Sequence, residues 1–191
     1  MRAAKIALAI VLALALQTTL ARVLLAGGSA TIDLMLVAVV YVALTGGSVA
    51  GLAAGAIGGL VQDALSATGT SLVATGSGVV AAKSIIGVGG LAKTVVGFVT
   101  GIVGTQFIVA RPLPRLLVFV AATLAHAAMF YGLYAILDPR YAGPSYRGVA
   151  NQAAGNAVVG VVLFEAIGFL PGFLERRRAA RGRLKLSRRR G

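Results

Sequence analysis

Apolar residues fill this chain in long runs, and small or polar residues mark where the runs stop. Met1 to Leu25 opens with Arg2 and Lys5, runs apolar to Leu16, and then carries Gln17, Thr18, Thr19 and Arg22. Gly27, Gly28 and Ser29 turn the chain into a second run, Ile32 to Leu44, bounded by Asp33 and by Thr45-Gly46-Gly47. Further runs cover Gly47 to about Leu65, Leu91 to Ala110, Leu116 to Leu137, and Val149 to Leu170, the last halted at Pro171-Gly172. Crossing ~30 Å of hydrocarbon takes about 20 apolar residues, so the pattern predicts an all-α polytopic membrane protein of about six transmembrane helices. The second run is short for a crossing. It either borrows Ala30 and Thr45 or is buried between its neighbours. Ala67 to Gly90, rich in Gly, Ser and Thr, predicts a loop or a short hairpin.

Within the third run Gly47, Gly51, Gly55 and Gly59 recur at every fourth position, and the next step lands on Asp63. In a helix these share one face, and glycines there let another helix approach until backbones touch. The fourth run repeats the device with Lys93, Gly97, Gly101 and Thr105. Because consecutive spans alternate in direction, Asp63 ends one helix on the side where Lys93 begins another. The expectation is two narrow faces in contact, with Asp63 paired to Lys93 or to a helix N-terminus. Gln17 in the first span and Asn156 in the last are expected to hydrogen-bond between helices, each worth roughly 0.6–2 kcal/mol.

Composition agrees with a membrane setting: 58% of residues are hydrophobic, only 12% are charged, and the mean hydropathy is +0.92. These values exclude an ordinary soluble domain. The absence of cysteine excludes disulfides and thiolate chemistry. A net charge of +13 would point to nucleic acid in a soluble protein. Half of the Lys and Arg residues, however, follow Phe173 in ERRRAARGRLKLSRRRG. A basic tail after a last span reads as an anchor on anionic lipid, not as a nucleic-acid site. Residues 1–174 therefore read as one transmembrane bundle and 175–191 as a basic cytoplasmic tail.

The first run resembles a secretory leader with a cleavage pattern at Ala13 to Ala15, but it continues apolar to Leu25 and is read as a retained helix. Arg2, Lys5, Arg111, Arg115 and the tail fall on one side, which places both termini in the cytoplasm. Gly76-Ser77-Gly78 and Gly87 to Gly90 lack the GK[ST] ending of a phosphate loop. His126, the single histidine, has no ligand partner at helical spacing and reads as a packed, hydrogen-bonded side chain. Phe130, Tyr131 and Tyr134 read as an interfacial belt. No catalytic, cofactor-binding or metal-binding constellation is expected, so the chain reads as no enzyme.

Several of these residues together resemble a known family, the rod-shape-determining MreD proteins of bacterial inner membranes. The resemblance rests on Leu16-Gln17 with Thr19, Asp33-Leu34 with Val39 to Leu44, and Gly59-Leu60-Val61-Gln62-Asp63-Ala64-Leu65-Ser66. Lys93 to Phe98 and Asn156 are similar as well. It is best over Asp33 to Ser66 and departs at Ala67 to Ser84, which is longer than the family's usual connection. It implies a fold similar to the substrate-binding subunits of energy-coupling-factor vitamin transporters. It implies a non-catalytic role in the lateral wall-elongation complex with MreC, MreB filaments, the glycosyltransferase RodA and a class B penicillin-binding protein. The other expectation, from the same fold, is a substrate-binding transporter subunit. Such a subunit needs polar residues converging in its outer half, and the sequence offers Gln17, Thr18, Thr19, Asn151, Gln152 and Asn156.

Overall fold

The computed structural model describes residues 32–67, 71–75, 78–82, 85–106, 111–138 and 145–187, with side chains for 32–65, 85–106, 111–138 and 145–169. The first expected helix, Gln17 within it, lies outside the described residues. The described chain has five helices and one hairpin. The helices are α1 (Leu34–Gly46), α2 (Ser48–Ala67), α3 (Val88–Gln106), α4 (Pro112–Leu137) and α5 (Tyr146–Ser187). Strands β1 (Ser71–Thr75) and β2 (Gly78–Ala82) join α2 to α3. They pair antiparallel, with Ser71 opposite Ala82 and Thr75 opposite Gly78. The short hairpin is thus one of the two forms expected for the Gly/Ser/Thr-rich segment.

Four helices are long and apolar enough to cross a membrane, over Ser48–Leu65, Val88–Gln106, Pro112–Leu137 and Tyr146–Phe169. Their outward residues are apolar too, among them Ile57, Leu113, Leu117, Val158 and Val162. A surface of this kind is stable against lipid, where helices satisfy their own backbone groups. The chain is accordingly a helical membrane protein.

Helix α1 is the exception. Its 13 residues span only about 20 Å, and from Met35 to Ala43 every residue but Tyr41 is buried. Apolar on all faces, it takes the second of the two forms allowed by its length: a core helix enclosed by its neighbours. Leu36, Val37 and Val40 pack with Val96 of α3, Phe119 and Ala122 of α4 and Ala157 of α5. Met35, Val39 and Val42 pack on Ala54 of α2.

Gly47 alone separates α1 from α2, at φ 87° and ψ −177°, and its N–H closes α1 on the Ala43 carbonyl. A side chain is strained in that conformation, so the glycine makes a one-residue reversal feasible. Gly47 therefore belongs to the turn and not to the helical row predicted from its spacing. The row proper is Gly51, Gly55 and Gly59, and it faces α3 in antiparallel register. A Cβ on Gly51 would collide with the Gly97 carbonyl, one on Gly55 with the Lys93 carbonyl, and one on Gly59 with Gly90 Cα. In return a Cβ on Gly97 would strike the Gly51 carbonyl, and one on Gly101 the backbone of Ser48. The two glycine faces close on each other within the chain, so neither is left for a partner helix.

Helix α5 also departs from expectation. It runs through Pro171 and Gly172 to Ser187, where the sequence predicted a stop. Proline removes one ladder bond inside a helix, but the Arg, Ala, Leu and Lys residues that follow are strong helix formers and carry the helix on.

Candidate functional site

The site begins where α1 begins. Asp33 is the N-cap of α1, its Oδ1 accepting from the Leu36 N–H at 3.0 Å. Because α1 is short, this cap lies inside the bundle and not at its rim. Along α2, Gly58 faces Met35, and nine more residues, or about 14 Å, carry α2 past the start of α1. Asp33 Oδ2 meets Lys93 Nζ at 2.8 Å, with the two side chains only 7% and 4% exposed. Isolated charges at such depth are very costly, and pairing with extra hydrogen bonds is what makes them tolerable.

Lys93 Nζ also lies 3.3 Å from His126 Nε2. An ammonium only donates, so Nε2 must be the acceptor; the ring is then neutral with its proton on Nδ1. Asn156 completes the network. Its Oδ1 accepts from the Asp33 backbone N–H at 2.9 Å, and its Nδ2 donates to Thr123 Oγ1 at 3.2 Å. Thr123 in turn donates to the Phe119 carbonyl at 2.8 Å. One polar cluster thus ties α1, α3, α4 and α5 together. Asn156 is fully buried and bridges α5 to both α1 and α4, as expected for an interhelical polar residue.

The predicted partner of Lys93 was Asp63, and the structure corrects this. Asp63 Oδ2 instead accepts from the Gly87 and Gly90 N–H groups, both at 2.9 Å. It therefore caps α3 from a neighbouring helix, the second of the two partners considered for it. The reason lies in α3 itself, whose first turn, Val88-Gly89-Gly90, supplies no capping side chain. Gly89 leaves room for the carboxylate, since a Cβ there would collide with Asp63 Oδ1.

Above Asp33, in the space left by the short α1, lies a cavity of about 200 Å³. Asp33, Lys93 and His126 border it, with Gln62 and Asp63 of α2 and Gln152 of α5. Phe130, Tyr131 and Tyr134 of α4 form an aromatic wall. His126 stacks on Phe130 at 5.8 Å between ring centroids, Phe130 packs on Tyr134 at 4.8 Å, and the Tyr134 hydroxyl accepts from the Ile85 N–H. These aromatics are half-buried residues of the cavity wall. Gln62 Oε1 is buried and has no hydrogen-bond partner among the described residues.

At the opposite end of the bundle Arg115 pairs with Glu165 at 2.8 Å and lies over the Phe164 ring. The Glu165 side chain is 46% exposed, so water screens the pair and it contributes little.

The network makes Asn156 a position of defined cost. Asn156→Ala leaves the Asp33 N–H buried without an acceptor and is expected to lower stability by about 1–3 kcal/mol. Asn156→Asp, which puts a second carboxylate beside Asp33, should cost more. The SDS-unfolding midpoint of the purified chain in detergent measures both, and equal midpoints for wild type and Asn156→Ala would contradict the bond pattern.

Comparison with protein-family profiles, curated proteins and solved structures finds no significant match.

Proposed function

We propose that this chain is a non-catalytic, multi-pass scaffold of the bacterial inner membrane, acting in the lateral wall-elongation complex that gives rod-shaped cells their form. The observation that carries the reading is convergence. Asp33, Lys93 and Asn156, three of the separate stretches on which the MreD resemblance rests, join one buried network, and Asp63 borders the same cavity. Stretches scattered over the chain thereby act as one structural signature, which supports the resemblance as a whole. On this reading both termini are cytoplasmic, the hairpin and the 138–148 loop are external, and the basic tail rests on anionic lipid. Residues 1–25 add a further span, and the fold is similar to the transporter subunits named above. The partners are MreC, RodA, a class B penicillin-binding protein and MreB.

Depletion from a rod-shaped host is expected to round the cells and to lose the lateral wall-synthesis complex from membrane pull-downs. Rods of normal shape after depletion would refute the scaffold reading. The cavity favours a second reading, a substrate-binding subunit of a small-molecule transporter. The convergent polar residues that such a subunit needs are present in Gln62, Asp63, His126 and Gln152. Normal rods with impaired uptake of one nutrient would select it.

A further inference from the structure

We propose that the cavity above Asp33 binds a small organic ammonium, a primary amine carried on a flat apolar body. Size sets the first limit. A cavity of about 150 Å³ holds benzene, so about 200 Å³ admits a ring with a short arm.

Charge sets the second. Among the described lining residues are two carboxylates, Asp33 and Asp63, against one cation, Lys93, a formal charge of −1. Lys93 already faces Asp33 and His126, which leaves no other cation among the described lining residues to receive an anionic ligand. An arriving ammonium finds acceptors instead. Asp63 uses Oδ2 for both of its backbone bonds, and the neighbouring Gln62 Oε1 is buried with no donor among the described residues.

The aromatic wall sets the third. Phe130, Tyr131 and Tyr134 line the cavity, and aromatic rings attract cations and pack flat apolar groups, the more strongly in a site withdrawn from water. A primary ammonium satisfies oxygen acceptors through its N–H groups while resting against these rings. A neutral alcohol of the same shape gains less, and a carboxylate is repelled.

The test uses the full chain in nanodiscs and isothermal titration calorimetry with phenethylammonium, 2-phenylethanol and 3-phenylpropionate. The amine should bind at least tenfold more tightly than the alcohol, and the carboxylate should show no heat. Asp63→Asn should weaken the amine, but the same carboxylate caps α3. Two further variants therefore read the site without touching that cap. Gln62→Met should reduce amine affinity about tenfold and alcohol affinity by less, since it removes one acceptor at similar volume and the bond from an ammonium is the stronger one. Ala127→Leu, which fills the cavity from a buried lining position, should abolish both. No heat from the amine at about 10 mM, equal affinity for amine and alcohol, or undiminished binding in Ala127→Leu would each overturn the proposal. Rod shape is a separate readout, so a scaffold that binds no amine and an amine binder that is no scaffold are distinguished.

Discussion

Gly55→Leu is expected to abolish recovery of folded, monodisperse protein from detergent-solubilised membranes. The seam between α2 and α3 is built from backbone against backbone, and a Cβ on Gly55 would already collide with the Lys93 carbonyl and lie 2.8 Å from Thr94 Cα. Neither atom can move without moving α3. Overpacking of a tight interior typically costs 1–3 kcal/mol, and small-residue membrane interfaces have few other sources of affinity. Displacing α3 at Lys93 also pulls the ammonium from Asp33, so packing and electrostatics fail together. Spacing alone made Gly58, rotated about 100° off the row, the natural control. The structure shows that Gly58 is buried against Met35 Sδ, at 2.6 Å from where its Cβ would lie. A flexible methionine tip yields more readily than backbone, so Gly58→Leu should be intermediate. The neutral control is Gly132→Leu, an exposed site with nothing within 4 Å. Size-exclusion profiles and SDS-unfolding midpoints should rank the three substitutions in that order. A Gly55→Ala protein as stable as Gly132→Ala would refute the seam.

Much of this seam was legible because a four-residue period of small side chains is a local pattern that directly encodes a helix face. What the sequence hid was depth. Asp33 follows a Gly-Gly-Ser turn and resembles any residue at a span boundary, whereas Asp63 sits within an apparently full-length span and drew the attention. The ranks reverse because α1 is shorter than its neighbours, so its first residue lies well below theirs. A signal was available: a short apolar run with no polar face must be enclosed, and the acid at its start is then enclosed with it. The cavity wall was legible in the same way. His126, Phe130 and Tyr134 recur at steps of four on α4 and form one stripe, yet aromatics near a helix end fit an interfacial belt equally well. The path of α5 through Pro171 was not legible. Proline is a stop in water, while in a long helix flanked by strong helix formers it is a local defect.

The buried ion pair should show itself in a double-mutant cycle between Asp33 and Lys93. Lys93→Met removes the cation and leaves the Asp33 carboxylate with only the Leu36 N–H from its own helix. Asp33→Asn leaves the ammonium with His126 alone. Breaking one side of a buried pair is expected to cost about 3–5 kcal/mol, because the cost is that of an uncompensated charge. The double substitution Asp33→Asn with Lys93→Met removes both charges, keeps a capping side chain for α1, and replaces the lysine stem with one of similar length. It should therefore recover most of the loss, with a coupling of about 1–3 kcal/mol. A charge swap should fail where the neutral pair succeeds. Lysine at position 33 has no acceptor for the Leu36 N–H, so the swap uncaps α1 inside the bundle. Asp63→Asn is the counter-test. Its carboxylate caps α3 through two backbone N–H groups, a role an amide oxygen partly fills, so the loss should stay near the 0.5–2 kcal/mol of a helix cap. SDS-unfolding midpoints of the purified variants give every arm of the cycle. If Asp63→Asn proves as damaging as Lys93→Met, or if the double variant is no more stable than the weaker single, then Lys93 is not held by Asp33.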